Sequence, residues 1–130
     1  MDPHTVLIVD DERHITFVLK YKLEDIGLHV ITAHNGKEGL ERATAERPSL
    51  VITDFQMPYM SGIDLARALR EQPTTCEIPV VMITARAHRV GAEELVDTNV
   101  CELIQKPFSP SRLLALIGEI LDVEPTRKAS

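Results

Sequence analysis

The stretch Val6–Glu12, VLIVDDE, runs four branched aliphatic side chains directly into three carboxylates. Four such residues are too few for a globular helix and rich in valine and isoleucine, so they read as a buried strand. The acids that follow are costly there, because like charges close together repel and near a core they also lose water. A strand that ends on such a cluster asks for something to offset the charge, and the remainder of the chain narrows what that is.

Moving outward, three further short apolar runs stand out: Leu50–Thr53, Val80–Thr84 and Val100–Ile104. A fifth, Leu28–Ala33 (LHVITA), alternates more and suits a strand near a sheet edge. Between them lie longer segments with helix punctuation. Asn35 stands three residues before Glu38, Ser61 three before Asp64, and Ser109 directly before Pro110, each a pattern for a helix start. Gly27 sits where the first helix must stop. Strand and helix therefore alternate five times. Near-continuous apolar strands bridged by helices predict an α/β fold, a parallel sheet covered on both faces. The right-handed crossover rule leaves the flavodoxin-like strand order 2-1-3-4-5 as the leading topology, with five strands and five helices.

Length and composition agree. A chain of 130 residues fits one domain, predicted over 5–121, with 122–130 (DVEPTRKAS) a polar tail or linker stump. The net charge of −6 argues against a general nucleic-acid binder. Cys76 and Cys101 lie far apart and read as reduced thiols, Cys101 as a small core residue on the fifth strand; both fit a cytoplasmic protein. No signal peptide is recognisable, and no apolar run approaches the roughly 20 residues that span a bilayer. Five histidines show no paired metal-ligand spacing and suit surface or boundary positions. Met57 and Met60 suit packing.

In open parallel sheets, ligands bind beyond the carboxyl ends of the strands. Those ends carry Asp10, Asp11 and Glu12, then Asp54, Thr84, and Lys106 followed by Pro107. Each alone has a plain explanation: acids start helices, threonine suits strands, and Lys-Pro makes a turn. Together at one sheet edge they form a hard oxygen site with a cation and a hydroxyl beside it. Mg²⁺ takes one or two carboxylates, waters and phosphate oxygens in such places. An aspartate acting on phosphorus there gives an aspartyl phosphate, whose oxygens need donors and cations.

The motifs VLIVDDE, VITDFQMPYMSG, VVMITA and LIQKPFS, in that order and spacing, resemble the receiver domain of two-component response regulators from Val6 to about Leu121. The resemblance implies that Asp54 accepts a phosphoryl group from a phosphohistidine on a sensor histidine kinase or histidine phosphotransfer protein. It further implies Mg²⁺ held by Asp11 directly, by Asp10 through water, by Asp54 and by the backbone carbonyl of Gln56. Thr84 would be the switch hydroxyl, Lys106 the phosphate-binding cation, and the Lys106-Pro107 bond cis. On this reading Glu12 is a favourable charge at a helix start, and the chain is a phosphorylation-controlled switch, not an enzyme. It binds neither nucleic acid nor membrane. A phosphorylation-dependent dimer through the fourth helix, fifth strand and fifth helix is also implied, for a receiver that stands alone or belongs to a longer chain.

Departures from the family pattern concern output. Leu103 stands where an aromatic residue is usual, three before the lysine. Asn99-Val100 replaces Gly-Ala, with Asn99 suited to a left-handed cap, and Ser61-Gly62 replaces Asp-Gly. Arg86 and Gln56 border the approach of attacking water. The alternative function is a small Mg²⁺-dependent phosphatase with an aspartyl-phosphate intermediate. That pattern needs a second acid two residues beyond the nucleophile, which Asp54-Phe55-Gln56 lacks. A flavodoxin-type cofactor carrier would need a Ser/Thr/Gly-rich loop after the first strand, where this chain has acids.

The first helix carries one feature of its own. At about 100° per residue, Ile15, Val18, Leu19, Leu23 and Ile26 share the core side, while Phe17 and Tyr21 fall opposite. The pair either packs on itself and on lysine stems, for a few tenths of a kcal/mol, or forms a docking patch for a partner helix.

Overall fold

The computed structural model describes residues 4–122, so the polar segment beyond Asp122 lies outside the described residues. Five strands run in parallel: β1 (Thr5–Val9), β2 (His29–Ala33), β3 (Leu50–Asp54), β4 (Val80–Thr84) and β5 (Val100–Gln105). Their order is β2-β1-β3-β4-β5, as the crossover rule predicts. Helices α1 (Arg13–Asp25), α2 (Gly36–Glu46), α3 (Gly62–Glu71) and α4 (Pro110–Leu121) cover the sheet.

Successive side chains of a strand point to opposite faces, and both faces of β1 are apolar. Val6 and Ile8 join Leu19 and Leu23 of α1 and Leu113, Ile117 and Leu121 of α4 on one side. Leu7 and Val9 join Ala43 of α2 and Leu65, Ala66 and Leu69 of α3 on the other. Burial on two faces explains why VLIV lacks polar alternation. It also holds the strand rigid up to the acids.

The helix starts follow the side-chain chemistry read from the sequence. Asn35 accepts the Glu38 N–H at 2.8 Å, Ser61 and Asp64 form a reciprocal capping box, and Ser109 accepts the Arg112 N–H at 3.4 Å. Gly27, at φ 93°, occupies the left-handed region that ends α1 cheaply only for glycine.

Four expectations need correction. The helix expected between β4 and β5 is two 3₁₀ turns, Ala87–Arg89 and Ala92–Leu95, so there are four α-helices among the described residues rather than five. Gly91 breaks the segment with extended backbone, and neither turn has a side-chain cap from its own N-cap residue. Second, Cys101 is exposed: β5 carries a register shift opposite Val80 and Val81, where Val100 and Glu102 pair and Cys101 is skipped. Third, the left-handed residue before β5 is Asp97, at φ 59°; Asn99 instead donates from Nδ2 to the Thr75 carbonyl. Fourth, Val18 is 39 % exposed, and Thr16 takes a core position of α1. The Thr16 hydroxyl donates to the Arg13 carbonyl at 2.8 Å, which removes most of the cost of burying it.

Gly62 is the tightest point of the fold near the site. Its N–H donates to the Phe55 carbonyl at 2.8 Å. A Cβ there would overlap the Asp54 carbonyl oxygen and reach 3.1 Å from the Phe55 Cα. Both obstacles are backbone, so nothing can rotate away. Gly62→Ala is expected to lower unfolding free energy by about 2–4 kcal/mol, read by urea denaturation, as an overpacked buried contact does. A stability within 0.5 kcal/mol of wild type, roughly the scatter of neutral substitutions, would show that the loop relaxes freely.

Candidate functional site

The carboxyl ends of β1, β3, β4 and β5 bring the site together. β1 ends at Val9, so Asp10 is the first residue beyond it, tied to the sheet by its N–H donating to the Ala33 carbonyl at 3.1 Å. Its Oδ1 accepts the Glu12 N–H at 2.8 Å, a local turn that aims the carboxylate inward. Asp54 is the last residue of β3, and the next N–H, that of Phe55, donates to the Ile83 carbonyl at 2.9 Å. Thr84 ends β4, and its carbonyl accepts the Lys106 N–H at 2.8 Å. Asp10, Asp54 and Thr84 are all buried, at 2 %, 8 % and 3 % exposure.

Lys106 reaches across from the loop after β5. Its Nζ lies 3.7 Å from Asp10 Oδ2, 3.4 Å from Glu12 Oε1 and 3.5 Å from Asp54 Oδ1. One ammonium thus serves three carboxylates from two strand ends. The oxygens of Asp10, Glu12 and Asp54 lie within 4.8 Å of one another. Burial pushes the Asp10 carboxyl up to about 6, against the opposing pull of the Glu12 N–H and Lys106. Burial likewise raises Asp54, with the charge of Asp11 adding to the push. Burial alone would lower Lys106, but Asp10, Asp54 and Glu12 together raise it. A single positive charge therefore leaves the acid cluster under-compensated. Hard, converging oxygens with excess negative charge suit Mg²⁺, so the donor set fits that ion.

The other residues singled out by sequence fall around this centre in different ways. Asp11 and Gln56 are exposed, and Asp11 is not one of the three converging acids. Glu12, read from sequence only as a helix-start charge, precedes α1 without a side-chain cap bond; its carboxylate turns to Lys106 instead. The third acid of VLIVDDE was the available signal. Thr84 Oγ1 accepts the Arg86 N–H at 3.1 Å. The Lys106-Pro107 bond is cis. Gln56, Thr84, Arg86, Arg89 and Glu94 line a small cavity of about 190 Å³ on the β4 side. On the α1 side a larger apolar groove, about 450 Å³, runs past Glu12, Ile15, Val18, Lys106, Pro107 and Phe108.

Phe17 and Tyr21 are exposed at 71 % and 70 %, on the outer face of α1 and away from that groove's lining. Tyr59, missed by sequence reading, is 99 % exposed with φ 70°, at the tip of the loop after Asp54. The motif Met-Pro-Tyr-Met carried no signal for a left-handed tyrosine. Four histidines are exposed, while His34 is half-buried with its Nδ1 unpartnered. No described helix is long and apolar enough to cross a membrane.

Comparison with known proteins agrees with the geometry. The response regulator receiver domain family matches residues 6–118. The alkaline phosphatase synthesis transcriptional regulatory protein PhoP of Bacillus subtilis is 35 % identical over 116 residues, 89 % of this chain and 48 % of that protein. The chain therefore spans about half the length of the curated relatives it matches. Among solved structures, the chemotaxis response regulator CheY4 of Vibrio cholerae superposes with a TM-score of 0.84 at 30 % identity, over 92 % of this chain and 99 % of that one. TrrA of Thermotoga maritima, solved in complex with Mg²⁺-BeF, gives 0.80 at 28 % identity, over 90 % and 98 %. The strand order, the acid cluster and these likenesses converge on one assignment: the chain belongs to the response regulator receiver domains, the phospho-accepting switches of two-component signalling.

Proposed function

We propose that Asp54 is the phosphoryl acceptor and that the donor is a phosphohistidine on a sensor histidine kinase or a histidine phosphotransfer protein. The observation that carries this is Asp54 itself, buried at the end of β3 with Lys106 Nζ 3.5 Å from its Oδ1. An Asp54 carboxylate oxygen forms the new O–P bond while the P–N bond to imidazole breaks, and the electron pair stays on the imidazole nitrogen. Lys106, already placed among the acids, pairs with the phosphoryl oxygens, and the Thr84 hydroxyl donates to one of them. Asp10, Asp11, Asp54 and the Gln56 carbonyl would hold Mg²⁺, which supplies positive charge between the acids and the incoming phosphoryl oxygens.

The chain acts as a switch rather than a turnover enzyme, in the cytoplasm, where free thiols such as Cys76 and Cys101 persist. Its acidic balance favours protein partners over nucleic acid. A phosphorylation-dependent dimer would use the face of the 3₁₀ turns, β5 and α4. With acetyl phosphate and Mg²⁺, one phosphoryl group per chain is expected, removable by hydroxylamine and lost slowly. Many rapid turnovers on phosphate esters would favour the phosphatase reading instead.

Phe17 and Tyr21 serve as the docking patch for the donor's helix in this proposal. The two stand about 70 % exposed one turn apart on α1. Phe17→Ala/Tyr21→Ala is expected to slow transfer from the donor protein about tenfold or more, as loss of a binding hot spot does. The rate with acetyl phosphate should stay unchanged. Equal slowing with both donors would remove the patch from the docking surface.

A further inference from the structure

The family's usual link between the switch hydroxyl and the β5 face is an aromatic side chain, and here that position is Leu103. Two residues on, Gln105 does something the sequence pattern did not announce. It closes β5 opposite Thr84, and its amide reaches over the strand end to the loop that follows β4. Nε2 donates to the Ala85 carbonyl at 2.5 Å and to the Lys106 carbonyl at 2.9 Å. Oε1 accepts the Ala87 N–H at 2.9 Å. That N–H opens the first 3₁₀ turn, which has no cap from its own N-cap residue, Arg86. One side chain therefore grips the loop on both sides of Arg86 and, at the same time, the peptide that follows the site lysine.

We propose that Gln105 is a positioning residue for phosphoryl transfer: it fixes the turn carrying Thr84 against the loop carrying Lys106. The inference deepens the reading of Asp54 as acceptor and rests on it. Two groups must meet the phosphoryl oxygens, a hydroxyl from β4 and an ammonium from the loop after β5. The backbone bond between Lys106 N–H and the Thr84 carbonyl joins the two at the end of the β4–β5 ladder. Beyond it, Ala85 and Arg86 are exposed and the expected helix is missing. A loop without helical support needs another restraint, and the bonds to Ala85 and Ala87 provide it. Groups held in place before reaction lose less freedom in the transition state, so loosening them slows the chemical step.

The acids of the cation site sit at the ends of β1 and β3 and meet Lys106 through its ammonium, whereas Gln105 holds the Lys106 backbone carbonyl, so the two functions separate experimentally. Phosphorylation of the full chain by acetyl phosphate at saturating Mg²⁺ is timed by mass spectrometry, and Mg²⁺ affinity is measured by calorimetry. Gln105→Ala is expected to slow phosphorylation about five- to tenfold with Mg²⁺ affinity within about twofold of wild type. Gln105→Glu keeps the acceptor for Ala87 but sets a carboxylate against two carbonyl oxygens, so it should slow the reaction at least as much. In the amide spectrum of Gln105→Ala, the Ala87 resonance should move and its exchange protection fall. An unchanged or faster rate in both variants overturns the assignment, as does a slowing matched by an equal loss of Mg²⁺ affinity. Either result leaves Asp54 as acceptor standing; uptake that survives in Asp54→Asn removes that reading first, whatever Gln105 does.

Discussion

Asp54→Asn is expected to abolish phosphoryl uptake, with the rate from acetyl phosphate falling on the order of 10³-fold or more, as for loss of a covalent nucleophile. The amide oxygen carries no full negative charge and is a far weaker nucleophile than a carboxylate oxygen, so it does not attack phosphorus at a useful rate. The variant should nevertheless fold at least as well as wild type. Asp54 is buried, and burial raises its carboxyl because the charged form is poorly solvated there. Asparagine keeps the shape without that charge. Phosphate incorporation by mass spectrometry and a urea melt together separate lost chemistry from lost structure. Uptake that persists on Asp10 or Glu12, whose oxygens lie within 4.8 Å of Asp54, would move the acceptor to another member of the cluster.

The second large effect runs opposite to the usual direction of mutation. Asp10→Asn is expected to stabilise the metal-free protein at neutral pH by about 1–3 kcal/mol, or a melting temperature higher by roughly 5–10 °C. Burial holds the folded Asp10 carboxyl at about 6, above its ordinary value of 3.8. As pH rises, the unfolded chain releases this proton first. Stability contributed by the protonated group is thus full below about pH 4 and lost as pH passes through about 6. Asparagine does not titrate, so the gain over wild type should be small near pH 4 and widest above about pH 7. Loss of the 3.7 Å pairing with Lys106 offsets part of it. Added Mg²⁺ should stabilise wild type and leave the variant nearly unmoved, since binding to the folded state alone is what raises the melting temperature. A variant less stable than wild type at neutral pH would show that the Lys106 pairing outweighs the cost of burying the charge.

These two expectations express one design. The carboxylates are placed where they weaken the resting fold, and a bound cation would supply the missing positive charge. The same placement explains why Lys106 alone, shared among Asp10, Glu12 and Asp54, does not suffice.

Much of this was legible from residue types in order. Val6–Val9, Val51–Ile52 and Val80–Ile83 are apolar on both faces, which only a covered parallel sheet accommodates. Asn35, Ser61 and Ser109 announce helix starts because their short oxygens reach a backbone N–H three residues on. Asp10, Asp54, Thr84 and Lys106 could be assigned to one crevice because every strand of a parallel sheet delivers its carboxyl end to the same edge.

What sequence could not settle turned on contacts between distant segments. The helix expected after β4 is two 3₁₀ turns because capping and a central glycine weigh more than a loosely periodic pattern. Thr16 rather than Val18 faces the sheet because α1 is rotated by its packing on β1 and α4, and its hydroxyl finds a partner one turn back. Cys101 is exposed through a register shift in β5, invisible without its neighbour β4. Glu12 joins the acids, and Gln105 bridges two loops, through side-chain directions that depend on partners far along the chain: Lys106 for one, Ala85 and Ala87 for the other. By itself the sequence determined the fold, its strand order and the chemical class of the site, since these follow from local pattern and a fixed crossover hand. The tertiary structure alone decided which acids converge, which lysine oxygen and loop groups are tied together, and what holds the loop after Thr84, because those are distances across space rather than spacings along a chain.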